Sequence, residues 1–233
     1  MIKISLLIPA YNEETTIIPL LESVQKEVNL IQHVSFEVIV IDDCSQDDTN
    51  RLLRENETLY SRLISLENNM GKGGAVLHGL EQATGDYILF QDADLEYSPA
   101  DYKTLIHPIL EFDADVVMGS RFVGPLFTRV HYFWHKIGNR VITLIFNILN
   151  NTTFTDIYSC YLMYKRELVP PETIQTRGWE QHGEILSRAV KHGKNFYEVP
   201  ITYRGRSYDE GKKIRAFHIF KILYTLVRIR IFK

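Results

Sequence analysis

The feature of the sequence that most constrains the fold is a regular alternation between short apolar runs and longer amphipathic segments. Five apolar runs have the length of strands and lie at residues 4–8, 36–41, 62–66, 87–90 and 115–118. The segments between them carry apolar residues at helical spacing, with helices predicted at residues 71–84 and 100–112. Repeated strand–helix units of this length predict an α/β fold with a mainly parallel sheet, helices on both faces and right-handed crossovers.

Two short polar residues are predicted to mark where the first two helices begin. Asn12 follows the first strand and is a type of residue that commonly caps a helix. Ser45 follows the second strand, with Asp48 three residues later, and this spacing resembles a capping box. We therefore expect one helix to begin just after Asn12 and another just after Ser45.

The composition limits the kinds of partner. The chain has 233 residues, a net charge of −3 and 45% hydrophobic residues, which is typical of a globular domain and gives no overall attraction for nucleic acid. The two cysteines, Cys44 and Cys160, predict a reducing, cytoplasmic setting rather than a disulfide scaffold. No stretch reaches the roughly 20 consecutive apolar residues of a membrane span. Met1 leads directly into a strand pattern, so we expect no signal peptide.

Acidic side chains follow the predicted strands at the points where those strands end. Asp42 and Asp43 follow the second strand, and Asp92 and Asp94 follow the fourth. A doubly wound sheet brings the carboxyl ends of its strands to one edge. Two carboxylates this close repel each other unless they share a cation, and hard oxygen ligands suit Mg²⁺ or Mn²⁺ together with phosphates. The pattern favours a divalent-cation site at Asp92 and Asp94, and a simple turn after the strand is the alternative.

The glycine cluster at residues 71–74 has neither the order of a P-loop nor the spacing of a dinucleotide-binding fingerprint. We interpret these glycines as permitting close packing at the start of a helix, with Lys72 reaching toward a substrate. One of the strand-end carboxylates can hydrogen-bond a nucleobase or a ribose hydroxyl, as acidic residues do in dinucleotide-binding folds.

Five motifs then follow one another in an order that resembles a known family. They are IPAYNEE at residues 8–14, VIDDCS at 40–45, NMGKGGA at 69–75, QDADLE at 91–96 and GSRF at 119–122. Together they resemble the family 2 glycosyltransferases with the GT-A fold, in the branch that contains polyprenyl-phosphate sugar synthases such as the dolichol-phosphate mannose synthases. The resemblance covers nearly the whole chain. It implies one catalytic domain over residues 1–233, with a nucleotide-sugar half at 1–122 and an acceptor half at 123–233.

The resemblance also implies roles for individual residues. The nucleotide-sugar pocket would be lined by Pro9, Ala10, Tyr11, Glu13, Asp42, Lys72, Asp92, Ala93 and Asp94. The cation, Mn²⁺ or Mg²⁺, would be held by Asp92, Asp94 and Glu96. The residues implied in catalysis are Asp94, Arg121, Asp156, Arg206 and Lys212.

The second half of the chain carries information about the acceptor. Residues 204–213 contain four Lys or Arg side chains beside two glycines, a composition that suits phosphate oxygens. The segment resembles an R-x-x-G-x-S-K element of the lipid-phosphate branch, whose ends Arg206 and Lys212 match, whereas Asp209 and Gly211 depart from it. The alternative is a solvated charged loop. His182 is expected to be structural or solvent-facing rather than a metal ligand.

The predicted function is an inverting, metal-dependent transfer of a sugar from a UDP- or GDP-sugar to a polyprenyl phosphate. A lipid phosphate is already anionic and needs cations to offset charge repulsion, whereas a hydroxyl acceptor needs a general base. One alternative is a family 2 enzyme of cell-envelope polysaccharide synthesis that acts on a saccharide hydroxyl, with Asp156 or Glu180 as base. Another is a non-catalytic nucleotide-sugar-binding protein.

Two cationic, apolar segments bear on where the protein acts. Residues 130–149 and 214–233 mix aliphatic and aromatic residues with Lys, Arg and His. Such segments can lie in the headgroup plane of an anionic membrane, so we expect at most peripheral contact with the cytoplasmic face. Packing on the core, a homodimer contact and contact with a membrane-protein partner are the alternatives.

Overall fold

The structure is a computed structural model that describes residues 1–124, 133–205 and 218–231. The predicted site residues Arg206 and Lys212 lie outside the described residues. The strands are β1 Ile2–Ala10, β2 Val34–Asp42, β3 Arg62–Ser65, β4 Tyr87–Phe90, β5 Val116–Ser120, β6 Leu162–Lys165 and β7 Phe196–Pro200. The helices are α1 Ile17–Leu30, α2 Thr49–Glu55, α3 Lys72–Gln82, α4 Tyr102–Phe112, α5 Phe133–Asn150, α6 Gln181–His192 and α7 His218–Ile231.

The described strands form one seven-stranded sheet in the order β3-β2-β1-β4-β6-β5-β7. Strands β3, β2, β1 and β4 run parallel to one another, and β5 is parallel to β7. The interior of β1 and β4 is buried on both faces, because helices cover the sheet on each side. The predicted α/β fold with a mainly parallel sheet is confirmed.

The strand order places a crevice beside β1. From β1 the chain moves outward through β2 to β3, and it then returns to the other side of β1 as β4. The loops after β1 and β4 therefore diverge at this switch point, where ligands bind in open α/β sheets. Ala10 pairs with Asp42, so β1 and β2 end at the same level of the sheet. Phe90 pairs with Leu7, so β4 ends three residues before β1 does, and the loop after β4 runs beside the last residues of β1.

Strand β6 was not predicted, and it changes what the edge contains. It lies between β4 and β5 and runs antiparallel to both. Because it runs in the opposite direction, the segment before β6 reaches the edge at which the parallel strands end. Residues 155–161 are thereby brought beside the loops after β4 and β5.

The two helix starts predicted from polar residues were wrong. Helix α1 begins at Ile17 and α2 at Thr49, each several residues later than expected. Asn12 instead adopts a left-handed backbone with φ of 55°, and its Oδ1 accepts a hydrogen bond from the backbone N–H of Gln46 at 2.8 Å. Ser45 Oγ accepts the N–H of Asn12 at 3.0 Å. These side chains join the loops after β1 and β2 rather than capping helices.

Helices α5, α6 and α7 pack against one another. Buried residues of α5 and α7, including Phe146 and Leu226, join the hydrophobic core. The opposite face of α5 exposes a continuous apolar stripe of Phe133, Ile137, Val141, Leu144 and Ile148. None of the helices in the described ranges is long and apolar enough to cross a membrane.

Candidate active site

The strand ends at the crevice are built from strained backbone. Asn12, Cys44 and Leu95 each follow a strand of the crevice and have φ values of 55°, 59° and 60°. Left-handed backbone is uncommon for residues other than glycine and concentrates at ligand-binding sites. Hydrogen bonds between loops hold this geometry, such as the one that the N–H of Glu13 donates to Thr49 Oγ1 at 2.9 Å.

The two carboxylates after β2 are buried and held in place. Asp42 accepts hydrogen bonds from the backbone N–H of Ser45 at 3.2 Å and from the side-chain amide of Asn50 at 2.7 Å. Asp43 accepts the N–H of Met70 at 2.7 Å, which fixes the loop before α3 to the end of β2. Burial raises the pKa of Asp43. Asp43 therefore has a structural role, whereas Asp42 lies at the end of β2, where the nucleotide pocket is predicted.

The carboxylate pair after β4 faces a lysine from α3. The ammonium of Lys72 contacts Asp92 Oδ1, and both side chains are partly exposed. Asp94 Oδ1 accepts the backbone N–H of Glu96 at 3.1 Å. Glu96 lies farther round the turn, where its Oε2 accepts the hydroxyl hydrogen of Tyr203 at 2.7 Å. Lys72 thus reaches the predicted diphosphate site, and the role of Glu96 as a metal ligand stays a prediction.

No three His, Cys, Asp or Glu side chains come together closely enough to hold a metal ion within residues 1–124, 133–205 and 218–231. The carboxylates of Asp92 and Asp94 could hold a hard cation if a bound phosphate and water supplied its remaining ligands. Such a pair fits Mg²⁺ or Mn²⁺, which commonly bind one or two protein carboxylates and take their other ligands from water and phosphate.

A buried ion pair lies on the other side of the site. Arg121, just after β5, binds both carboxylate oxygens of Asp156, with Nε to Oδ2 at 2.6 Å and Nη2 to Oδ1 at 2.8 Å. Asn139 of α5 donates a further hydrogen bond to Oδ1 at 2.8 Å. Burial alone would raise the pKa of Asp156, but Arg121 and Asn139 outweigh this and hold it below its usual value. Asp156 is therefore anionic and fixes Arg121.

The side chain of Gln91 links the loop after β4 to two buried tyrosines. No role was predicted for Gln91 from the sequence. Its Oε1 accepts hydrogen bonds from the hydroxyls of Tyr102 and Tyr161, each at 2.7 Å, and its Nε2 donates to the carbonyl of Asp92 at 2.9 Å. The signal in the sequence was a glutamine directly after the apolar run at 87–90. The structure buries this side chain completely, and each polar atom of a buried amide needs a partner.

Two glycines of the 71–74 cluster, Gly73 and Gly74, permit the close approach that was predicted. A Cβ on Gly73 would lie 2.3 Å from the carbonyl oxygen of Arg177, which is backbone and cannot move aside. Gln181, at the start of α6, donates a hydrogen bond from Nε2 to the carbonyl of Gly73 at 2.9 Å. The start of α6 is thus fixed against the start of α3, beside Lys72.

The acidic residues at the start of α6, Glu180 just before the helix and Glu184 within it, are already paired. Glu184 is buried, accepts the N–H of Thr176 at 2.8 Å and forms an ion pair with Arg188 at 2.7 Å. Glu180 is buried and forms an ion pair with Lys221 of α7 at 2.9 Å. His182 is half-buried, and its Nε2 atom is buried. Of the two expectations for this residue, a structural or a solvent-facing side chain, the buried nitrogen favours the first.

The structure brings together most of the predicted site residues. The ends of β1, β2 and β4, together with α3, place Ala10, Asp42, Lys72, Asp92 and Asp94 at one edge of the sheet. Arg121 and Asp156 lie at the same edge on the β5 and β6 side. The individual roles assigned to these residues stay predictions.

Comparison with known proteins identifies a protein-family model that matches most of this chain. The model described as glycosyl transferase family 2 matches residues 5–170, which run from within β1 past the end of β6 and include Asp42, Lys72, Asp92, Asp94, Arg121 and Asp156.

Two curated relatives are each 28% identical to this chain. One is the UDP-N-acetylglucosamine–dolichyl-phosphate N-acetylglucosaminyltransferase of Methanococcus voltae, matched over 99% of this chain and 97% of the relative. The other is a dolichol-phosphate mannosyltransferase of Pyrococcus furiosus, matched over 95% of this chain but only 64% of the relative. The chain therefore spans nearly the whole of the first relative and under two thirds of the second.

Solved structures of glucosyl-3-phosphoglycerate synthase from Mycobacterium tuberculosis have the same fold. One superposes with a TM-score of 0.71 at 23% identity and covers 98% of this chain and 81% of that one. Another, a complex with Mn²⁺, uridine diphosphate and glucosyl-3-phosphoglycerate, has a TM-score of 0.68 at 21% identity, covering 98% and 80% of the two chains. At this identity the likeness concerns the fold.

Proposed function

The chain belongs to the family 2 glycosyltransferases, and from this premise we propose that it transfers a sugar from a nucleoside diphosphate to a polyprenyl phosphate with inversion at the anomeric carbon. The donor is a UDP-sugar or GDP-mannose. The names of the two relatives, which act on dolichyl phosphate, support this class of acceptor.

The observation that carries the choice of acceptor is that both candidate bases are already in ion pairs. Asp156 is bound on both oxygens by Arg121, and Glu180 is paired with Lys221. A hydroxyl acceptor requires a base that is able to take its proton. A phosphate monoester is nucleophilic without losing a proton, so this arrangement suits a lipid phosphate.

Divalent metal fits the donor side of the site. Asp92 and Asp94 would hold Mn²⁺ or Mg²⁺, and the structural neighbour crystallised with Mn²⁺ and uridine diphosphate supports the choice of ion. Such an ion, when bound, neutralises the charge that develops on a leaving diphosphate. Lys72 contributes a further positive charge beside Asp92. Asp42, buried and held by Asn50, is proposed to accept a hydrogen bond from the nucleoside, which its position at the end of β2 supports.

On the acceptor side, Arg121 is proposed to attract the incoming phosphate. The guanidinium keeps its orientation through Asp156 and lies 5.0 Å from the ring centroid of Tyr203. A planar, pre-oriented guanidinium suits phosphate oxygens better than a mobile ammonium does. Arg206 and Lys212, outside the described residues, are proposed from the sequence to add positive charge to the same acceptor.

The test of the acceptor is transfer of radiolabel from UDP- and GDP-sugars to a short polyprenyl phosphate, with extraction into organic solvent. Label is expected in the organic phase in the presence of Mn²⁺ or Mg²⁺. Arg206→Ala and Lys212→Ala are expected to raise the KM for the lipid about tenfold each, because each removes one charge-assisted contact of roughly 1.5–3 kcal/mol. Lys26→Ala, on the exposed part of α1, is the control. Metal-dependent hydrolysis without label in the organic phase would instead favour a hydroxyl acceptor.

The apolar stripe of α5 supports a place for the enzyme at an anionic membrane surface. The stripe is flanked by the exposed cations Lys136 and Arg140, and the neighbouring helix α7 exposes Phe220 and Tyr224 near Lys221. Apolar residues bordered by cations suit the headgroup region of an anionic bilayer. We place this surface at the cytoplasmic face of the membrane, in line with the expectation from the sequence.

Binding to vesicles tests this surface. Cosedimentation with phosphatidylglycerol-containing vesicles is expected to fall about tenfold for Leu144→Ser, because an apolar side chain that leaves the bilayer loses about 1.5–3 kcal/mol. Leu110→Ser, at a similarly exposed leucine of α4, is expected to bind like the wild type. Unchanged binding by Leu144→Ser, or a dimer that this substitution dissociates, would contradict the membrane assignment.

A further inference from the structure

His182 is a half-buried side chain with a buried Nε2, and the mechanism above gives it no task. In the part of the chain that the structure describes, three buried side-chain polar atoms have no hydrogen-bond partner, namely Tyr164 Oη, His182 Nε2 and Ser187 Oγ. A buried polar atom left unpaired costs about 1–3 kcal/mol. Such an atom in a native structure calls for a ligand or another explanation.

The surroundings of His182 distinguish it from the other two residues. Its ring lies between the rings of Tyr158 and Phe90, at centroid distances of 5.7 Å and 6.4 Å. Two charged pairs act on it electrostatically, Lys72 with Asp92 and Arg121 with Asp156. By contrast, burial alone perturbs the hydroxyl of Tyr164, without a contribution from any charged group. His182 therefore lies within the electrostatic field of both charged pairs of the site.

The imidazole is neutral in this position. Burial, and next the positive charge of Lys72, lower its pKa to about 4. Its location in the first turn of α6 acts in the same direction, since a helix N-terminus disfavours a positive charge. A neutral imidazole offers one donor and one acceptor nitrogen, which is the complement of a hydroxyl group.

We propose that His182 Nε2 binds a hydroxyl group of the sugar that is transferred. The inference rests on the proposed function, in which the sugar lies between the diphosphate beside Lys72 and Asp92 and the acceptor phosphate beside Arg121. A sugar in that space presents hydroxyls to the unpaired nitrogen. The aromatic rings on either side of the imidazole restrict its orientation, so that the nitrogen selects among sugars by the position of a hydroxyl. His182 is thus a residue that determines donor specificity.

The test compares the affinity for a nucleotide sugar with that for the bare nucleoside diphosphate, by calorimetry and without acceptor. The probes are UDP, UDP-N-acetylglucosamine and UDP-glucose, with GDP and GDP-mannose as the second set. His182→Phe keeps an aromatic ring between Tyr158 and Phe90 and removes both nitrogens. We expect it to weaken binding of the nucleotide sugar about tenfold and to change binding of the diphosphate by less than twofold.

Two further variants sharpen the result. His182→Gln keeps a hydrogen-bonding group and is expected to recover part of the lost sugar affinity. His192→Gln, at the exposed far end of the same helix, is expected to bind both ligands like the wild type. If His182→Phe does not fold, the test uses His182→Gln with a series of deoxy-sugar donors. The donor that lacks the contacted hydroxyl should then bind the wild type and His182→Gln with equal affinity, whereas the other donors should bind the variant more weakly.

The outcomes separate this inference from the proposed function. Equal losses for the diphosphate and the nucleotide sugar, or no loss for either, would overturn the sugar contact. An acid–base role would be indicated if both His182→Phe and His182→Gln bound the nucleotide sugar normally but no longer transferred it, and that result would also overturn the contact. Failure of label to reach a lipid acceptor would contradict the proposed acceptor and leave the binding result unaffected.

Discussion

Replacing Asp94 by alanine is expected to lower sugar transfer about a thousandfold. The side chain follows β4 at the switch point of the sheet, beside the Lys72–Asp92 pair. Its loss would remove one of the two carboxylates proposed to hold the divalent cation. Removing one electrostatic element that stabilises a transition state typically costs a factor of about 10²–10³. The same variant should bind UDP or GDP with an affinity that no longer depends on Mn²⁺, which calorimetry measures independently of turnover.

Asp86→Asn is the matched control for Asp94. It lies just before the same strand, at the opposite edge of the sheet, where it accepts the backbone N–H of Lys3 at 2.8 Å. Its activity is expected to stay within about twofold of the wild type, because surface changes away from special features have small effects. Retention of metal-dependent transfer by Asp94→Ala would remove the basis of the metal assignment.

Replacing Asp156 by alanine is expected to lower the free energy of unfolding by about 3–5 kcal/mol. Arg121 would then keep its charge in a largely buried position without its carboxylate partner, and breaking a buried pair in this way has a cost of that size. Urea denaturation measures the change. Transfer should fall as well, since the guanidinium proposed to attract the acceptor loses its orientation.

A surface ion pair provides the comparison for this buried one. Arg51 and Asp48 also form a close Arg–Asp contact, at 3.0 Å, but both side chains are more than half exposed. Asp48→Ala is expected to leave the urea midpoint of unfolding almost unchanged, because an exposed ion pair contributes little to stability. Similar losses for the two substitutions would mean that burial does not determine the importance of the Arg121–Asp156 pair.

The pH dependence of stability follows from the same pair. The pKa of Asp156 is lower in the folded chain than its usual value. The stabilisation that ionised Asp156 contributes is therefore complete above the pKa of an aspartate in the unfolded chain, about 4. It is lost as the pH falls through the lower pKa of Asp156 in the folded chain. The difference in unfolding free energy between the wild type and Asp156→Ala is expected to be constant near neutral pH and to narrow below about pH 4.

Much of the fold and of the donor site was determined by the sequence itself. Apolar runs of strand length that end in carboxylates specify buried parallel strands, and such a sheet gathers its carboxyl ends at one edge. This local pattern was enough to predict that Asp42, Asp92 and Asp94 lie together. Gly73 could be interpreted in the same way, because close approach at the start of a helix is a local requirement.

Only the tertiary structure decided which residues meet beside β5 and β6, on the proposed acceptor side. The antiparallel strand β6 brings Asp156 to Arg121 from 35 residues away, and no local periodicity encodes which strand will be inserted between two others. The partners of Asn12 and Ser45 likewise lie on neighbouring loops, so their side chains could not be told from helix caps by sequence. The burial of His182 Nε2 depends on the packing of this residue of α6 against Phe90 of β4 and against Tyr158. Contacts between distant segments depend on how the whole chain folds, and a short-range sequence pattern carries no information about which distant segments will meet.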